Sequence, residues 1–266
     1  KISETMQKRF DITLTNAKEF LNQCEIQKVN FHPIGVVQAW SPKSMKYAAK
    51  ELVSMGYNYI AIGGLVPLDI DSCEEIVKAI REEIGFDIRI HLLGFAKAKQ
   101  LERFVKYKIT SFDSTSPMIK SFKDSTQNYL TPEKYYTAIR IPSSDGTASL
   151  KRKISSGVID QKTAQLLERK ALDTIRAYDK DESTLDETLS ALENYEKIFR
   201  DKIPMERYKD ILSTKYWQKC QCEICQNKKI ETIIFRNSNR NRRRGFHNLW
   251  QFQRELEELK KGHNIC

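Results

Sequence analysis

Three cysteines and one histidine have the residue types and the spacing of a metal site. Cys220, Cys222 and Cys225 form a C-x-C-x2-C pattern, and His247 follows after an interval of 21 residues, 226 to 246. Three thiolates and an imidazole make up the four ligands of a tetrahedral structural zinc ion. Cys220 and Cys222 are too close in sequence for an unstrained disulfide. The pattern predicts a zinc ion that holds the fold and does no chemistry, with buried free thiols as the alternative.

A cluster of positive charge lies just before this histidine. Five arginines occur within nine residues, with no acidic residue among them: Arg236, Arg240, Arg242, Arg243 and Arg244. The whole chain has a formal net charge of +10, which favours an anionic partner such as nucleic acid. We expect the cluster to bind phosphates, because the predicted zinc site beside it would hold it rigid; a solvated loop is the alternative.

The first part of the chain predicts helices that alternate with short strands. Apolar residues recur at helical spacing over 3–28, and further helices are predicted at 42–55, 72–84 and 97–107. Ser41 and Pro42 suit the N-cap and the first position of the second helix. Four apolar strands are predicted at 33–40, 57–62, 88–93 and 109–112. Strands with so little alternation are typical of buried parallel βα units, which fit either a (β/α)8 barrel or a doubly wound sheet.

Glycine or a polar residue follows each of these predicted strands. The positions are Gln38, Gly63 with Gly64, Gly94, and Asp113. In a (β/α)8 barrel, the carboxyl ends of the strands form the catalytic face. Glycine at such a position allows a ligand to approach the backbone closely. We therefore expect the four strand ends to form one binding site.

The second part of the chain has a different character. Residues 127–150 predict a hairpin, interpreted as a lid; residues 160–212 predict two or three helices; residues 249–261 predict a final amphipathic helix. We divide the chain into βα units at 1–126, a hairpin and helical insert at 127–214, a zinc-binding subdomain at 215–248, and a last helix with its tail at 249–266. No apolar run approaches the roughly 20 residues of a membrane span, and half of the six cysteines belong to the metal pattern. Both observations favour a reducing, cytoplasmic location.

Five phrases in order resemble the tRNA-guanine transglycosylases. They cover about residues 30–130 and 215–260: Gly35-Val-Val-Gln38, Tyr59-Ile-Ala-Ile-Gly63-Gly64-Leu65, His91-Leu-Leu-Gly94, Phe112-Asp113-Ser114, and the cysteine pattern with His247-Asn-Leu249. The resemblance implies an α/β fold, the C-terminal part of a (β/α)8 TIM barrel with a helical insert and a zinc-binding subdomain. It also implies enzymatic base exchange at a nucleotide.

Within that family, the chain most resembles the branch that places 7-deazaguanine bases in DNA. The similar phrases are Ile62-Gly-Gly-Leu-Val-Pro67, His91-Leu-Leu-Gly-Phe-Ala96 and Thr110-Ser-Phe-Asp-Ser-Thr-Ser-Pro117. The 107 positions from Asp113 to Cys220 also exceed the short connection of the tRNA enzymes. The resemblance implies DNA and a 7-deazaguanine base as substrates, and a partner ATPase. A tRNA enzyme of the archaeosine or queuosine pathway is the alternative.

The resemblance also implies roles for individual residues. Asp113 matches the nucleophile, which forms a covalent aspartyl-glycosyl intermediate; an Asp that only caps the next helix is the alternative. The base would be bound at the strand ends, by Gln38, Gly63, Gly64, Leu65, Leu93 and Gly94. For Gln38 the alternative is a structural hydrogen bond, and for the glycine pair a plain turn. Leu93 stands where the family often has Met, and we assign His91 to the core, without a role.

One departure from the family concerns the first strands of the barrel. The family has a second catalytic Asp and another base-binding Asp there, and neither has a match in this chain. A closed barrel has eight strands, whereas four are predicted here. We expect the chain to be part of a longer enzyme, or to obtain its other half from elsewhere, a homo-oligomer being one source, and to be inactive or aggregation-prone alone. A non-catalytic, zinc-stabilised nucleic-acid-binding subunit is the alternative of a different class.

Overall fold

The computed structural model describes residues 3–95, 98–146, 148–200 and 204–262. The described chain forms two compact units, one up to Thr115 and one from Ser116 to Gly262. Parts of three predictions lie outside the described residues: Ala96 of the family phrase, the start of the helix at Lys97, and the tail at 263–266. No helix within the described ranges is long and apolar enough to cross a membrane.

The first unit alternates helices with the strands of one parallel sheet. Its elements are α1 (Glu4–Ile26), β1 (Gly35–Val37), α2 (Pro42–Ser54), β2 (Tyr59–Ile62), α3 (Ile70–Ile84), β3 (Arg89–Leu92), a 3-10 helix (Ala98–Tyr107) and β4 (Ser111–Phe112). The strand order is β1-β2-β3-β4, with every neighbouring pair parallel. This confirms the predicted α/β class and its parallel strands. Among the described residues, β1 and β4 are the two edges of the sheet.

Local sequence signals set the helix boundaries in this unit. Ser41 caps α2 and exchanges hydrogen bonds with Ser44 in a capping box, and Pro42 takes the first helical position, as predicted. The chain leaves α2 through Gly56 at φ +111°, a conformation that favours glycine. Asp69 caps α3 by accepting the Ser72 amide at 2.9 Å. These caps fix where each strand begins and therefore where its carboxyl end lies.

The core of the first unit lies between the sheet and its helices. Fully buried side chains come from α2, β2, α3 and β3, and include Leu52, Ile60, Ile62, Val77, Ile80, Ile90 and Leu92. Burying one such aliphatic side chain stabilises the fold by about 1.5–3 kcal/mol. The residues of β3 alternate in burial: Ile90 and Leu92 are buried, whereas Arg89 is exposed and His91 half-buried on the opposite face.

The second unit is mostly helical. Its elements are α4 (Ser116–Lys123), β5 (Tyr129–Leu130), β6 (Tyr135–Tyr136), β7 (Ile139–Arg140), α5 (Ala148–Ser155), α6 (Gln161–Asp179), α7 (Leu185–Glu196), α8 (Met205–Thr214), α9 (Tyr216–Lys219), α10 (Glu223–Lys228), a 3-10 helix (Lys229–Thr232), β8 (Ile234–Phe235) and α11 (Ser238–Gly262). Thr184 and Glu187 form a capping box at the start of α7.

Two short strand pairs tie distant parts of this unit together. β5 and β6 form an antiparallel hairpin, and β7 pairs in parallel with β8, joining Ile139 to Ile234. Tyr129, Leu130 and Tyr136 of the hairpin are all buried. The hairpin predicted in this region is therefore part of the interior of the second unit, whereas a lid would lie on the surface.

The last helix starts earlier than its sequence indicates. The prediction placed it at 249–261, but α11 begins at Ser238 and so includes four of the five clustered arginines. Its buried face is largely polar, with Asn241, Arg244, His247, Asn248 and Gln251 turned inward. Gly245 allows α11 to approach α4 closely, since a Cβ there would collide with Met118. A polar buried face produces no apolar period, which is why the first turns of α11 escaped prediction.

Candidate active site and metal centre

The predicted binding residues follow the carboxyl ends of the four parallel strands. Ladder hydrogen bonds extend just beyond the strands, from the Gly63 amide to the Val37 carbonyl (2.9 Å) and from the Leu93 amide to the Ile62 carbonyl (3.0 Å). The Asp113 amide in turn donates to the Leu92 carbonyl at 3.3 Å. Since parallel strands share one direction, these residues lie along one edge of the sheet, the edge formed by the carboxyl ends of all four strands.

Asp113 presents an ionised carboxylate at this edge. Its Oδ1 accepts the Gly94 amide at 2.9 Å and lies 3.1 Å from Nε2 of His91, while 54% of its side chain is exposed. The Gly94 hydrogen bond, helped by His91, outweighs slight burial and lowers the pKa of Asp113 below 3.8. The group is therefore charged at neutral pH and accessible, as a carboxylate nucleophile must be.

His91, which the sequence analysis left without a role, contacts this carboxylate. Its other ring nitrogen, Nδ1, lies 2.6 Å from Oγ of Ser111, and that oxygen lies 2.5 Å from the hydroxyl of Tyr59. The register pairs His91 with Ser111, and Asp113 comes two residues later. Residues i and i+2 of an extended chain project to the same side, so strand pairing would have placed His91 beside Asp113.

The glycines at this edge keep space open above the backbone. Gly64 has φ +79° and a Cβ added there would meet nothing within 4 Å. Gly63 has ordinary backbone angles, and its added Cβ would come to 3.9 Å from Cδ1 of Leu93 and 4.0 Å from Cγ1 of Val36. Gly63, Leu93 and Val36 thus border one small region. Gly94, at φ +60°, supplies the amide that holds Asp113.

Leu65, one of the residues predicted to bind the base, packs into the turn after β2. Its carbonyl already accepts the Leu68 amide at 3.2 Å and the Cys73 thiol at 3.6 Å. A carbonyl oxygen has two lone pairs, so both are engaged in this conformation. The Leu65 side chain is fully buried. Leu65 therefore anchors the turn after β2 to α3.

Gln38 lies at the opposite end of the same edge. It is exposed and borders a cleft of about 410 Å³ with Trp40 of the following turn and residues of α1, among them Arg9 and Phe10. Three strand spacings separate β1 from β4, about 14 Å along the sheet. An amide at one end and a carboxylate at the other leave the glycine turns between them. A flat ligand can lie along such an edge.

The metal pattern forms one buried cluster in the second unit. Nδ1 of His247 lies 3.3 Å from the sulfurs of Cys222 and Cys225 and 3.6 Å from that of Cys220, and all four ligand atoms lie within 4.8 Å of one another. A tetrahedral zinc site places its ligand atoms about 3.5–3.8 Å apart. The four side chains are at most 4% exposed. The residues therefore fit a metal ion such as zinc.

Surrounding elements orient these ligands. Cys222 caps α10, its sulfur accepting the Cys225 amide at 3.3 Å, while Cys220 directly follows α9. Nε2 of His247 donates to the Leu130 carbonyl at 2.8 Å, which fixes Nδ1 as the ligand atom. The Tyr129 ring stacks on the imidazole with centroids 4.4 Å apart. The hairpin thus serves as outer support for the cluster.

The charges of the three thiols show why a cation suits this cluster. Hydrogen bonds from the other two thiols lower the pKa of Cys222, whereas the same contacts, with burial, raise the pKa of Cys225. Hydrogen bonding with Cys222 likewise raises the pKa of Cys220 to about 11. Without a cation the cluster therefore favours a single thiolate, because a second negative charge nearby is repelled. A divalent cation would stabilise all three.

The clustered arginines are divided between the interior and the surface. Arg244 is fully buried and donates to the carbonyls of Ser121, Asn128 and Ile234. Arg236 pairs with Glu168, and Arg240 lies 2.6 Å from Glu231. These three arginines support the fold of the second unit. The cluster is not a solvated loop, because four of its five arginines are in α11. Arg242 and Arg243 are exposed.

Comparison with known proteins gives one clear relationship. The chain is 41% identical over 255 residues to a DNA-guanine transglycosylase of Salmonella montevideo. That alignment covers 94% of this chain and 61% of the relative, so the chain spans about three fifths of the relative's length. No family model matches the chain. The relationship confirms the resemblance identified in the sequence.

Proposed function

We propose that this chain, a tRNA-guanine transglycosylase-like homologue of that enzyme, is part of an enzyme that carries out base exchange in DNA. The proposed reaction replaces guanine with a 7-deazaguanine base. The observation that carries the proposal is Asp113, an ionised and exposed carboxylate held by Gly94 and His91 at the carboxyl ends of four parallel strands. Active sites of parallel α/β folds lie at that end of the sheet.

Asp113 would act as the nucleophile. Its carboxylate oxygen forms a bond to C1′ of the deoxyribose as the bond from C1′ to guanine N9 breaks and the electron pair passes to guanine. The departing guanine gains a proton. The incoming base loses the corresponding proton from its own ring nitrogen, attacks C1′, and releases the Asp113 carboxylate. The exchange is balanced, with no net change in protons or electrons.

The glycine turns would receive the base. Gly63 and Gly64 leave the backbone accessible after β2, and Leu93 offers an apolar surface beside Gly63 for the flat face of a purine. The Gln38 amide both donates and accepts, which suits the edge of guanine and of a 7-deazaguanine alike. Leu65 stays in the proposed set, although its carbonyl accepts the Leu68 amide and the Cys73 thiol in this conformation.

We further propose that the sheet is an arc of a (β/α)8 barrel. Its support is the strand order, which follows the chain without reversal, whereas a doubly wound sheet reverses direction at a switch point. Each of the first three strands is also followed by a helix. A closed barrel needs four strands besides these. They would come from other residues of the enzyme or from another copy.

In the second unit, we propose that the Cys220, Cys222, Cys225 and His247 cluster binds zinc. Four protein ligands would saturate a tetrahedral ion, so its contribution is to hold α9, α10, α11 and the hairpin together. Arg242 and Arg243, the exposed arginines of α11, are then the candidates for phosphate contacts.

The test uses the full-length enzyme that contains this chain, with DNA and tRNA offered separately and a radiolabelled 7-deazaguanine base. We expect label in DNA, and a loss of at least about 1,000-fold with Asp113→Asn, which keeps the shape but not the nucleophile. Label in tRNA alone would replace the DNA proposal with the tRNA alternative. Unchanged exchange by Asp113→Asn would refute the aspartyl mechanism. DNA binding without exchange would favour a non-catalytic subunit.

A further inference from the structure

Both hydrogen bonds to the Asp113 carboxylate reach the same oxygen. Oδ1 accepts the Gly94 amide at 2.9 Å and lies 3.1 Å from Nε2 of His91. Within the described residues, Oδ2 has no hydrogen-bond partner. The two oxygens are therefore inequivalent, since one is held and the other projects from a side chain that is 54% exposed.

We propose that His91 is a positioning residue, whose neutral imidazole holds Oδ1 so that Oδ2 is the oxygen that bonds to the sugar carbon. This inference rests on the proposed function. His91 would act through Asp113, without touching the base or the sugar. The electron pair that forms the new bond comes from Oδ2, and the proton on Nε2 stays with His91 throughout the exchange.

The hydrogen-bond pattern around the ring specifies its tautomer. If Nε2 carries the proton that it donates to Asp113, then Nδ1 of a neutral ring must accept. Its only described partner is Oγ of Ser111 at 2.6 Å, so the Ser111 hydroxyl donates to the ring. That hydroxyl then accepts from the Tyr59 hydroxyl, 2.5 Å away. The hydrogen bonds therefore form one chain in which each group donates to the next: Tyr59 to Ser111, Ser111 to His91, and His91 to Asp113.

The His91 ring lies among charged and titratable groups of three strands. The titratable and charged groups near it are Tyr59 on β2, Asp113 after β4, and Arg89 two residues earlier on β3. The Arg89 guanidinium lies over the Tyr59 ring, 4.6 Å from its centroid, and contacts His32. The His91 side chain is only 18% exposed, so the ring is held in place.

The His91 donor to Oδ1 has two consequences for Asp113. It limits rotation of the carboxylate, so that Oδ2 meets C1′ in one geometry, and it stabilises the ionised form of the group. Two variants separate these effects from simple folding. His91→Phe keeps a planar ring and removes the donor. His91→Gln retains an amide N–H near the position of Nε2.

The kinetic test uses the full-length enzyme under single-turnover conditions. We expect His91→Phe to lower the rate constant for glycosyl-enzyme formation about tenfold, with little change in KM for the base, and His91→Gln to recover most of it. The acid limb of the pH profile should move upward by about one pH unit in His91→Phe, because loss of the donor raises the pKa of Asp113. Ser111→Ala should give a smaller effect in the same direction.

A second measurement does not depend on activity. The carboxyl carbon of Asp113 can be titrated by ¹³C NMR in the wild type and in both variants, with thermal melting to establish that each is folded. A higher Asp113 pKa in His91→Phe, restored in His91→Gln, supports the proposal. An identical titration and an identical rate in a folded His91→Phe would overturn it. If the wild-type enzyme showed no base exchange but the variants gave the expected titration shifts, the proposed function would be rejected. The contact between His91 and Asp113 would still be supported.

Discussion

His247 donates its Nε2 proton to the carbonyl of Leu130, and that bond turns Nδ1 toward the three thiols. Leu130 belongs to the hairpin of β5 and β6, more than a hundred residues earlier in the chain. The hairpin therefore sets the tautomer of a ligand on α11. Metal binding and hairpin docking are thus coupled, and loss of either should weaken the other.

Metal removal should destabilise the second unit. With a strong chelator, or with His247→Ala, we expect the melting temperature to fall by about 10 °C or more, because three buried thiols lose the cation that lets them ionise together. Elemental analysis should find about one zinc per chain, and less in the variant. Cys24→Ser is the matched control, since that cysteine is buried in the first unit. If chelation left the melting curve unchanged, the cluster would not be a structural metal site.

The exposed arginines of α11 should contribute to DNA affinity. Replacing Arg242 and Arg243 with Gln removes two positive charges, so the slope of log K against log salt should become shallower by roughly 1.8. Fluorescence anisotropy with duplex DNA over a salt series measures that slope. Lys260 and Lys261 are exposed on the last turn of the same helix, and their double Gln variant removes equal charge. Equal effects from both pairs would show a general charge effect and no specific contact.

Gly63→Ala should separate ligand binding from folding. Its added methyl would lie 3.6 Å or more from every neighbouring atom, and its backbone angles are ordinary, so we expect nearly unchanged stability. The methyl would nevertheless stand beside Leu93, in the region proposed for the base. KM for the base should therefore rise about tenfold or more, with a smaller change in kcat. Wild-type kinetics in this variant would place the base elsewhere.

Arg244 should be essential for the fold of the second unit. Arg244→Met retains an extended side chain but leaves the buried carbonyls of Ser121, Asn128 and Ile234 without a donor. We expect a loss of about 3–5 kcal/mol in the free energy of unfolding. Chemical denaturation measures it, with Arg243→Met on the exposed side of the same helix as control. Comparable small losses in the two variants would contradict the buried role.

The second unit should lose stability in acid. Burial alone would raise the pKa of Glu231, but hydrogen bonds from Arg176 and Arg240 outweigh it and lower that pKa below 4.5. A lowered pKa contributes stability that is present above about pH 4.5 and lost as the pH falls through the folded-state value. Glu231→Gln should therefore cost roughly 1–3 kcal/mol at pH 7 and much less at the lowest pH at which the protein stays folded.

Denaturation over a pH series tests this difference, with exposed Glu182→Gln as control. A cost that did not change with pH would assign the effect of Glu231→Gln to packing and not to charge.

Sequence patterns predicted the first unit well because its elements follow simple periods. Ile60 and Ile90 lie in short strands rich in apolar residues, and Ser41 and Gly56 mark the limits of α2. The four residues of the Cys220, Cys222, Cys225 and His247 cluster were identified from spacing alone, since few residue types bind zinc. In each case local chemistry determines the structure.

The missed features depend on contacts between distant residues. Arg244 looks like a surface charge in sequence, and only the carbonyls of α4, of β8 and of the residue before β5 make its burial favourable. His91 resembles a core histidine until the register of β3 and β4 brings it to Asp113. The Leu65 carbonyl is likewise engaged by Cys73, eight residues later. No local pattern reports such pairings.

The pairing of β7 with β8 affects when the second unit can fold during synthesis. It joins positions 139 and 234, and His247 is the last of the four metal ligands to be synthesised. Translation proceeds at about 5–20 residues per second, so three reduced thiols emerge a second or more before their imidazole partner. Until β8 has been synthesised, α6, α7 and α8 lack the strand pair that closes the loop around them. A nascent chain halted between Cys225 and His247 would hold an incomplete metal site, open to oxidation.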